Sequence, residues 1–303
     1  LAKIFAVFGI MVGLFGIGTF TQINGITSAI GNFFDNEKAQ YLNLFGRDYS
    51  ITIIISGIIL TFFVALVLIG GLKRISNVAQ VVVPFMAIIY VAVVVIILGL
   101  NIGKIPAALA EIAEGAFGLR AFGGGMFGAM ILAMQKGIAR GIFSNEAGLG
   151  SAPIAAAAAQ SKEEVRQGLI SMTGTFIDTI VICTMTGLSI VITGSWNMGL
   201  EGVAVTTKAF QMGLPFPERA AAFILMICLV FFAFTTILGW DYYSEKCLEY
   251  IIGNKPKAIM IYRWIYIGCI FIGPYMTVQA VWTIADICNG LMAIPNLIAL
   301  IAL

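Results

Sequence analysis

The sequence predicts an all-α polytopic membrane protein, and three observations carry that prediction. Of 303 residues, 60% are hydrophobic and only 11% charged, where a soluble domain carries about a quarter charged residues. The mean hydropathy is +1.01, so lipid rather than a water-soluble core must cover the apolar surface. The apolar residues also gather into runs of bilayer length. A bilayer core takes about 20 residues of apolar helix, and roughly eight stretches qualify: 4–30, 51–71, 81–100, 121–140, 167–193, 219–240, 259–274 and 276–302.

The first stretch carries Gly9, Gly13, Gly16 and Gly18, with Gly9 and Gly13 at the GxxxG spacing that lets helices approach closely. Gln22 and Asn24 follow, placed to cap the helix near the interface. The second and third runs are the cleanest spans, almost free of polar residues. Between them and the fourth, NIGKIPAALAEIAEGAFGLR over 101–120 is too polar to span but keeps apolar residues at helical spacing, which predicts an interfacial helix on the outer surface. The last two spans are separated only by the region around Gly273-Pro274, suited to a tight outer turn. Orientation follows from the basic residues. With Lys3 inside, the loops 72–80, 136–166 and 241–263 are inside and hold, with Lys3, 11 of the 17 Lys and Arg. The chain starts and stops beside apolar runs, without a signal-peptide n-region, and reads as a fragment of a longer protein.

Composition excludes several chemistries. Histidine is absent, which removes Ser-His-Asp and Cys-His catalysis. The five cysteines form no CxxC pair and mostly lie in apolar runs, where they behave as small hydrophobes. A net charge of +2 is too small to imply a nucleic-acid partner. A channel needs filter carbonyls or charge rings repeated by symmetry, and no such filter sequence is present. The chain is not expected to be an enzyme or to need a cofactor.

The most informative stretch is GAFGLRAFGGGMFGAMILAMQKGIARGIFSNEAGLGSAP over 115–153, with ten glycines between 115 and 150. A glycine-broken helix survives in a bilayer only where it is packed in protein or lines a cavity. Transporters use such breaks, binding an anionic group on freed N–H groups and a cation on freed carbonyls. The alternative is a helix ending near Gly137 and a cytoplasmic loop. Phe143, Ser144, Asn145 and Glu146 lie at the expected break. A charged Glu146 in apolar surroundings needs a partner, either Arg140 or a neighbouring helix, or it caps the next half-helix. Thr235 and Thr236 offer hydroxyl oxygens to a hard cation, or bond their own helix at i−4. Trp240, four residues past Thr236, shares its face. Asp178, with Ser171 and Thr175, and Asp286, with Asn289, form inward-facing polar stripes suited to structural hydrogen-bond networks or to function.

KGIARGIFSNEAGLGSAPIAAAAAQS resembles the signature of the alanine or glycine:cation symporter family. The similarity continues through SMTGTFIDTIVICTMTGLSIVITG, FFAFTTILGWDYYSEKCLEYIIG and ADICNGLMAIPNLIAL, over essentially the whole chain. The resemblance implies an incomplete LeuT-type inverted-repeat bundle holding core helices three to ten. On that reading 1–100 is the remainder of the first repeat, 101–120 an outer interfacial loop and 121–303 the second repeat, within one transmembrane domain. It implies sodium-coupled symport of alanine or glycine by alternating access across a prokaryotic plasma membrane, with proton coupling as the alternative. It places Gln22, Asn24, Phe143, Ser144, Asn145 and Trp240 at the substrate and Thr235 and Thr236 on sodium, a co-transported ion rather than a cofactor. Phe143 would then wall off side chains larger than methyl, and Trp240 would close the pocket.

Overall fold

A computed structural model describes residues 1–35, 40–44, 46–117, 126–161 and 163–302. Among them, seven helical stretches are long and apolar enough to cross a membrane: Ala2–Phe34, Ile51–Leu68, Gly71–Leu100, Glu164–Thr193, Glu218–Ile252, Pro256–Tyr275 and Val278–Ala302. The expected span at 121–140 falls partly on residues outside the described set. Its described part is a helix of 20 residues, Met126–Asn145, which carries Lys136 and Arg140 on its way to the break. The chain is therefore an all-α multi-pass membrane protein.

The first span is two helices rather than one. α1 (Ala2–Phe15) and α2 (Phe20–Phe34) are separated by Gly16-Ile17-Gly18-Thr19. The carbonyls freed there are partly recaptured locally. Val12 accepts from the Gly16 N–H at 2.9 Å, and Leu14 accepts from the Thr19 hydroxyl at 2.5 Å. The GxxxG reading holds as well: a Cβ on Gly9 would stand 2.7 Å from Cys247 Sγ, and one on Gly13 would stand 2.6 Å from Ser244. Small residues thus let α1 lie against the long helix α11 (Glu218–Ile252).

A hairpin of two short strands, β1 (Tyr41–Leu44) and β2 (Arg47–Ser50), follows α2 in register Tyr41 to Ser50. Its Tyr49 hydroxyl donates to the Tyr275 carbonyl at 2.8 Å, seating the hairpin on the tight turn Gly273–Tyr275. α3 (Ile51–Leu68) starts where the Ser50 hydroxyl accepts from the Ile53 N–H, an ordinary N-cap. α4 (Gly71–Leu100) begins ten residues before the apolar run that predicted it, because its first turns carry Lys73 and Arg74 outward. α5 (Ile105–Ala116) is the helix expected in the outer loop, started by Pro106. α6 (Met126–Asn145) and the short α7 (Ala152–Ala156) flank the expected break.

α8 (Glu164–Thr175) passes through a π-helical segment, Phe176–Cys183, into α9 (Thr184–Thr193), which ends on left-handed Gly194. α10 (Val203–Gly213) precedes α11. α11 does not end at residue 240. It runs 12 residues further, to Ile252, and buries Asp241, Ser244, Glu245 and Cys247, so the inner loop expected at 241–263 is mostly helix. The compensation lies in α12 (Pro256–Ile272), whose Arg263 faces Glu245. α13 (Val278–Ala302) completes the bundle.

The core forms around α11. One apolar cluster joins Phe20, Ile23 and Ile26 of α2 to Leu60 and Val64 of α3, Ile237 and Leu238 of α11 and Ile270 of α12. Another joins Val12 and Ile17 to Leu149, Trp240, Cys288 and Met292, wrapping both unwound segments around a single tryptophan. The Tyr266 hydroxyl lies 3.1 Å from the Gly18 carbonyl and 2.8 Å from that of Ile237. It pins the first unwound segment to α11.

Candidate substrate and ion site

The break between α6 and α7 is real and has a specific backbone. Glu146 has φ of 56°, Gly148 of 79° and Gly150 of 84°, so three residues in five take the left-handed conformation. Glycine adopts it freely, and a glutamate does so at a cost of about 1–2 kcal/mol. Gly150 also admits no side chain, since a Cβ there would stand 2.8 Å from Asn296 and Phe5. Asn296 of α13 donates to the Gly148 carbonyl at 2.9 Å and clasps the segment. α7 has only five residues, and Ala158 and Ala159 follow as i→i+3 turns. The second half-helix expected to present N–H groups to an anion is therefore very short.

Polar side chains at the break are held by neighbours. Ser144 donates to an Asp178 carboxylate oxygen at 2.5 Å, and Asn145 donates to the Thr179 hydroxyl at 3.2 Å. Asn145 also accepts from the Ala147 N–H at 2.9 Å, an Asx-type turn that starts the unwinding. Asp178 and Thr179 sit in the π-helical segment, a distortion common at functional sites. Glu146 does not pair with Arg140; it accepts from the Ser151 hydroxyl across the turn at 2.5 Å. The Trp240 indole N–H, 1% exposed as a residue, lies beside the Glu146 carboxylate without a well-formed hydrogen bond.

Arg140 instead reaches α13. Its Nη2 lies 2.7 and 2.6 Å from the two Asp286 oxygens. The guanidinium stands over the Trp282 ring, 4.3 Å from its centroid, and Trp282 packs 4.7 Å from Phe143. In the orientation read from the basic residues, this assembly lies on the outer side of the break.

The predicted site residues fall into three groups. Ser144 and Asn145 line one cleft of about 420 Å³ together with Glu146, Asp178, Ser171, Thr175, Gln167 and Tyr243. The stripe Ser171–Thr175–Asp178 thus faces a cavity, as its spacing predicts. Phe143 and Trp240 meet in the apolar cluster beside that cleft. Gln22, Asn24, Thr235 and Thr236 lie outside the lining, on α2 and α11, which pack against each other. Gln22 is half-buried with no side-chain hydrogen bond among the described residues, whereas the Asn24 amide donates to the Met276 carbonyl at 2.9 Å. Thr235 donates to the Phe231 and Phe232 carbonyls and Thr236 to that of Phe232, at 2.9–3.0 Å. Both readings of these threonines are compatible, because a hydroxyl that donates to i−4 keeps lone pairs for a cation. Tyr243 and Gln167 carry no sequence signal that marks them; only the fold brings them to the cleft.

Residues 1–303 match the model of the sodium:alanine symporter family. An uncharacterized transporter of Haemophilus influenzae is 51% identical over all of this chain and 63% of its own length. The sodium/alanine symporter AgcS of Methanococcus maripaludis is 42% identical over 99% of this chain and 61% of its own length. The amino-acid carrier protein AlsT of Bacillus subtilis is 36% identical over 82% and 51%. The chain thus spans between about half and just under two thirds of the length of these relatives. With its broken helices and polar cleft, this chain belongs to the sodium:alanine symporter family, whose members are transporters and not enzymes.

Proposed function

We propose that the intact protein couples the entry of sodium to that of a small neutral amino acid, alanine or glycine, by alternating access across a prokaryotic plasma membrane. The observation that carries this reading is the unwound, left-handed segment 146–150, set among membrane helices with Ser144, Asn145 and Asp178 in one cleft. Backbone groups released in such a segment suit a zwitterion, its carboxylate on N–H groups and its ammonium on carbonyl and amide oxygens. Gln22 and Trp240 complete the substrate site, with Phe143 as the wall that excludes larger side chains; Asn24, with one amide N–H on the Met276 carbonyl, keeps its amide oxygen and second N–H for a ligand. Thr235 and Thr236 supply sodium with hydroxyl oxygens. The name of the Methanococcus relative, a sodium/alanine symporter, supports the pairing of ion and substrate. The same reading makes 1–100 and 121–303 parts of two inverted repeats joined by the outer segment 101–120, a LeuT-type arrangement.

The test is uptake of labelled alanine and glycine by the full-length parent in liposomes under imposed sodium, potassium or proton gradients. Sodium-driven, concentrative uptake is expected, abolished by Gln22→Ala. Thr236→Ala should raise the sodium requirement at least tenfold, and Thr236→Ser should restore it. Uptake indifferent to sodium, or a Thr236→Ala protein with unchanged sodium dependence, would refute the ion assignment.

A further inference from the structure

The inner half of α11 holds charges that the substrate and sodium sites do not use. Asp241, one residue past Trp240, is 1% exposed, and neither carboxylate oxygen has a hydrogen-bond partner among the described residues. One turn on, Glu245 is also buried and receives a fork from Arg263 of α12, Nε at 2.9 Å and Nη2 at 3.0 Å. Asp241 and Glu245 share a helical face at i and i+4, and Asp241 lies within electrostatic range of both Glu245 and Arg263. Tyr262 and Tyr266 face the same carboxylate from α12. Tyr266 has its hydroxyl on the Gly18 and Ile237 carbonyls, whereas the Tyr262 hydroxyl, in a residue 5% exposed, is enclosed beside Ser244 without a well-formed hydrogen bond.

The charges here do not balance. With all three groups ionised, two carboxylates share one guanidinium, and the excess negative charge is enclosed where water cannot solvate it. The other packed elements do not supply the missing positive charge. Neither α2 nor α3 contains an ionisable side chain, and α1 contains only Lys3, at its far end. Lys246 turns to Glu249 at 2.6 Å, Arg74 to the Leu66 carbonyl, and Arg140 to Asp286. Cys247 and Cys269 nearby are neutral thiols. A metal cation needs a shell of oxygens and room to hold it. Both Asp241 oxygens are fully enclosed, and Ser244 already donates to the Trp240 and Asp241 carbonyls. A proton requires no added volume.

We propose that the Asp241–Glu245–Arg263 cluster, with Tyr262, is a proton-binding site whose proton rides on Asp241 and is exchanged during the transport cycle. The proposal rests on the transport reading above and adds a second ion to it. Asp241 lies five residues, about 7.5 Å, inward of Thr236 along α11. α1 seals this level by laying Gly9 and Gly13 against Cys247 and Ser244. Withdrawal of α1 from α11 would bring water to the carboxylate, so release of the proton and opening toward the inside are the same motion.

The full-length parent in liposomes with an entrapped pH dye, under a sodium gradient and clamped voltage, tests this. Added alanine should move protons, and uptake should fall up to about tenfold per pH unit once Asp241 loses its proton. Asp241→Asn, the isostere of the protonated acid, should keep sodium-driven uptake, lose proton movement and vary less than about twofold over the same range. Tyr262→Phe, which leaves the carboxylate in place, should displace the pH midpoint and covers the case in which Asp241→Asn does not fold. Alanine uptake without proton movement in the wild type, or proton movement intact in Asp241→Asn, overturns the proposal. Absence of uptake under every gradient would instead sink the transport reading. The proton site then stands or falls on thermal unfolding of the purified protein against pH: a profile that Asp241→Asn flattens supports it, and identical profiles overturn it.

Discussion

Removing either partner of the Arg140–Asp286 pair should cost stability, and removing both should cost less than the sum. The magnitude follows from burial. An enclosed pair that loses one member costs about 3–5 kcal/mol because a charge is stranded, and an exposed pair is worth under about 1 kcal/mol. Here the two side chains are 39% and 38% exposed, so each single change should fall between, near 2 kcal/mol. Arg140 should weigh more, since its guanidinium also rests on Trp282, a contact worth about 0.5–1 kcal/mol at a part-exposed site. Arg140→Gln, Asp286→Asn and the double variant should be unfolded with denaturant in detergent micelles. A coupling of about 1–2 kcal/mol is expected, with Arg140→Gln the more harmful single change. Strictly additive effects, within about 0.3–0.5 kcal/mol, would show that the pair carries no mutual energy and that its geometry does not brace α6 against α13.

Three further outcomes follow from the packing. Gly13→Ala should destabilise by about 1–3 kcal/mol, because its Cβ would meet Ser244, whereas Gly168→Ala, with nothing within 4 Å, should be neutral or stabilising by up to about 1 kcal/mol; thermal unfolding of the two side by side checks the contrast. Tyr266→Phe removes the hydroxyl shared by Gly18 and Ile237 and should cost about 1–2 kcal/mol, with amide exchange rising around residues 16–19. Ser151→Ala leaves the half-buried Glu146 carboxylate without its hydroxyl donor, a loss of about 1–2 kcal/mol, and should lower alanine uptake while Ser151→Thr preserves it.

How much of this was legible in the sequence depends on the range over which the physics acts. The spans were readable because lipid solvates each helix locally, and a run such as 51–71 declares itself without reference to the rest of the chain. The break at 146–150 was readable because glycines at 148 and 150 tolerate positive φ freely, whereas the third left-handed residue, Glu146, carries no such signal. The break at 16–19 was hidden because one set of glycines serves two purposes: Gly9 and Gly13 explain themselves by packing, and Gly16 and Gly18 then look like more of the same. Charges misled most. Asp241 and Glu245 ended the predicted helix at 240 because charged residues in a membrane helix are costly alone. Glu245 is not alone, but its partner Arg263 is 18 residues away on the next helix.

The site repeats that lesson with a sharper consequence. Sequence proximity nominates Arg140 as the partner of Glu146, six residues on, yet Arg140 binds Asp286, which is 146 residues away. Asp178, of the polar stripe with Ser171 and Thr175, accepts from Ser144 on a different helix. Each such pairing gives one acid a partner that its sequence neighbours do not reveal. Asp286 and Glu245 are paired with arginines, and Asp178 and Glu146 each accept a hydrogen bond from a serine hydroxyl. What remains among the described acids enclosed by the helices is Asp241, which no motif and no spacing distinguishes. Its distinction is a remainder, visible only once every other charge has been assigned a partner in three dimensions.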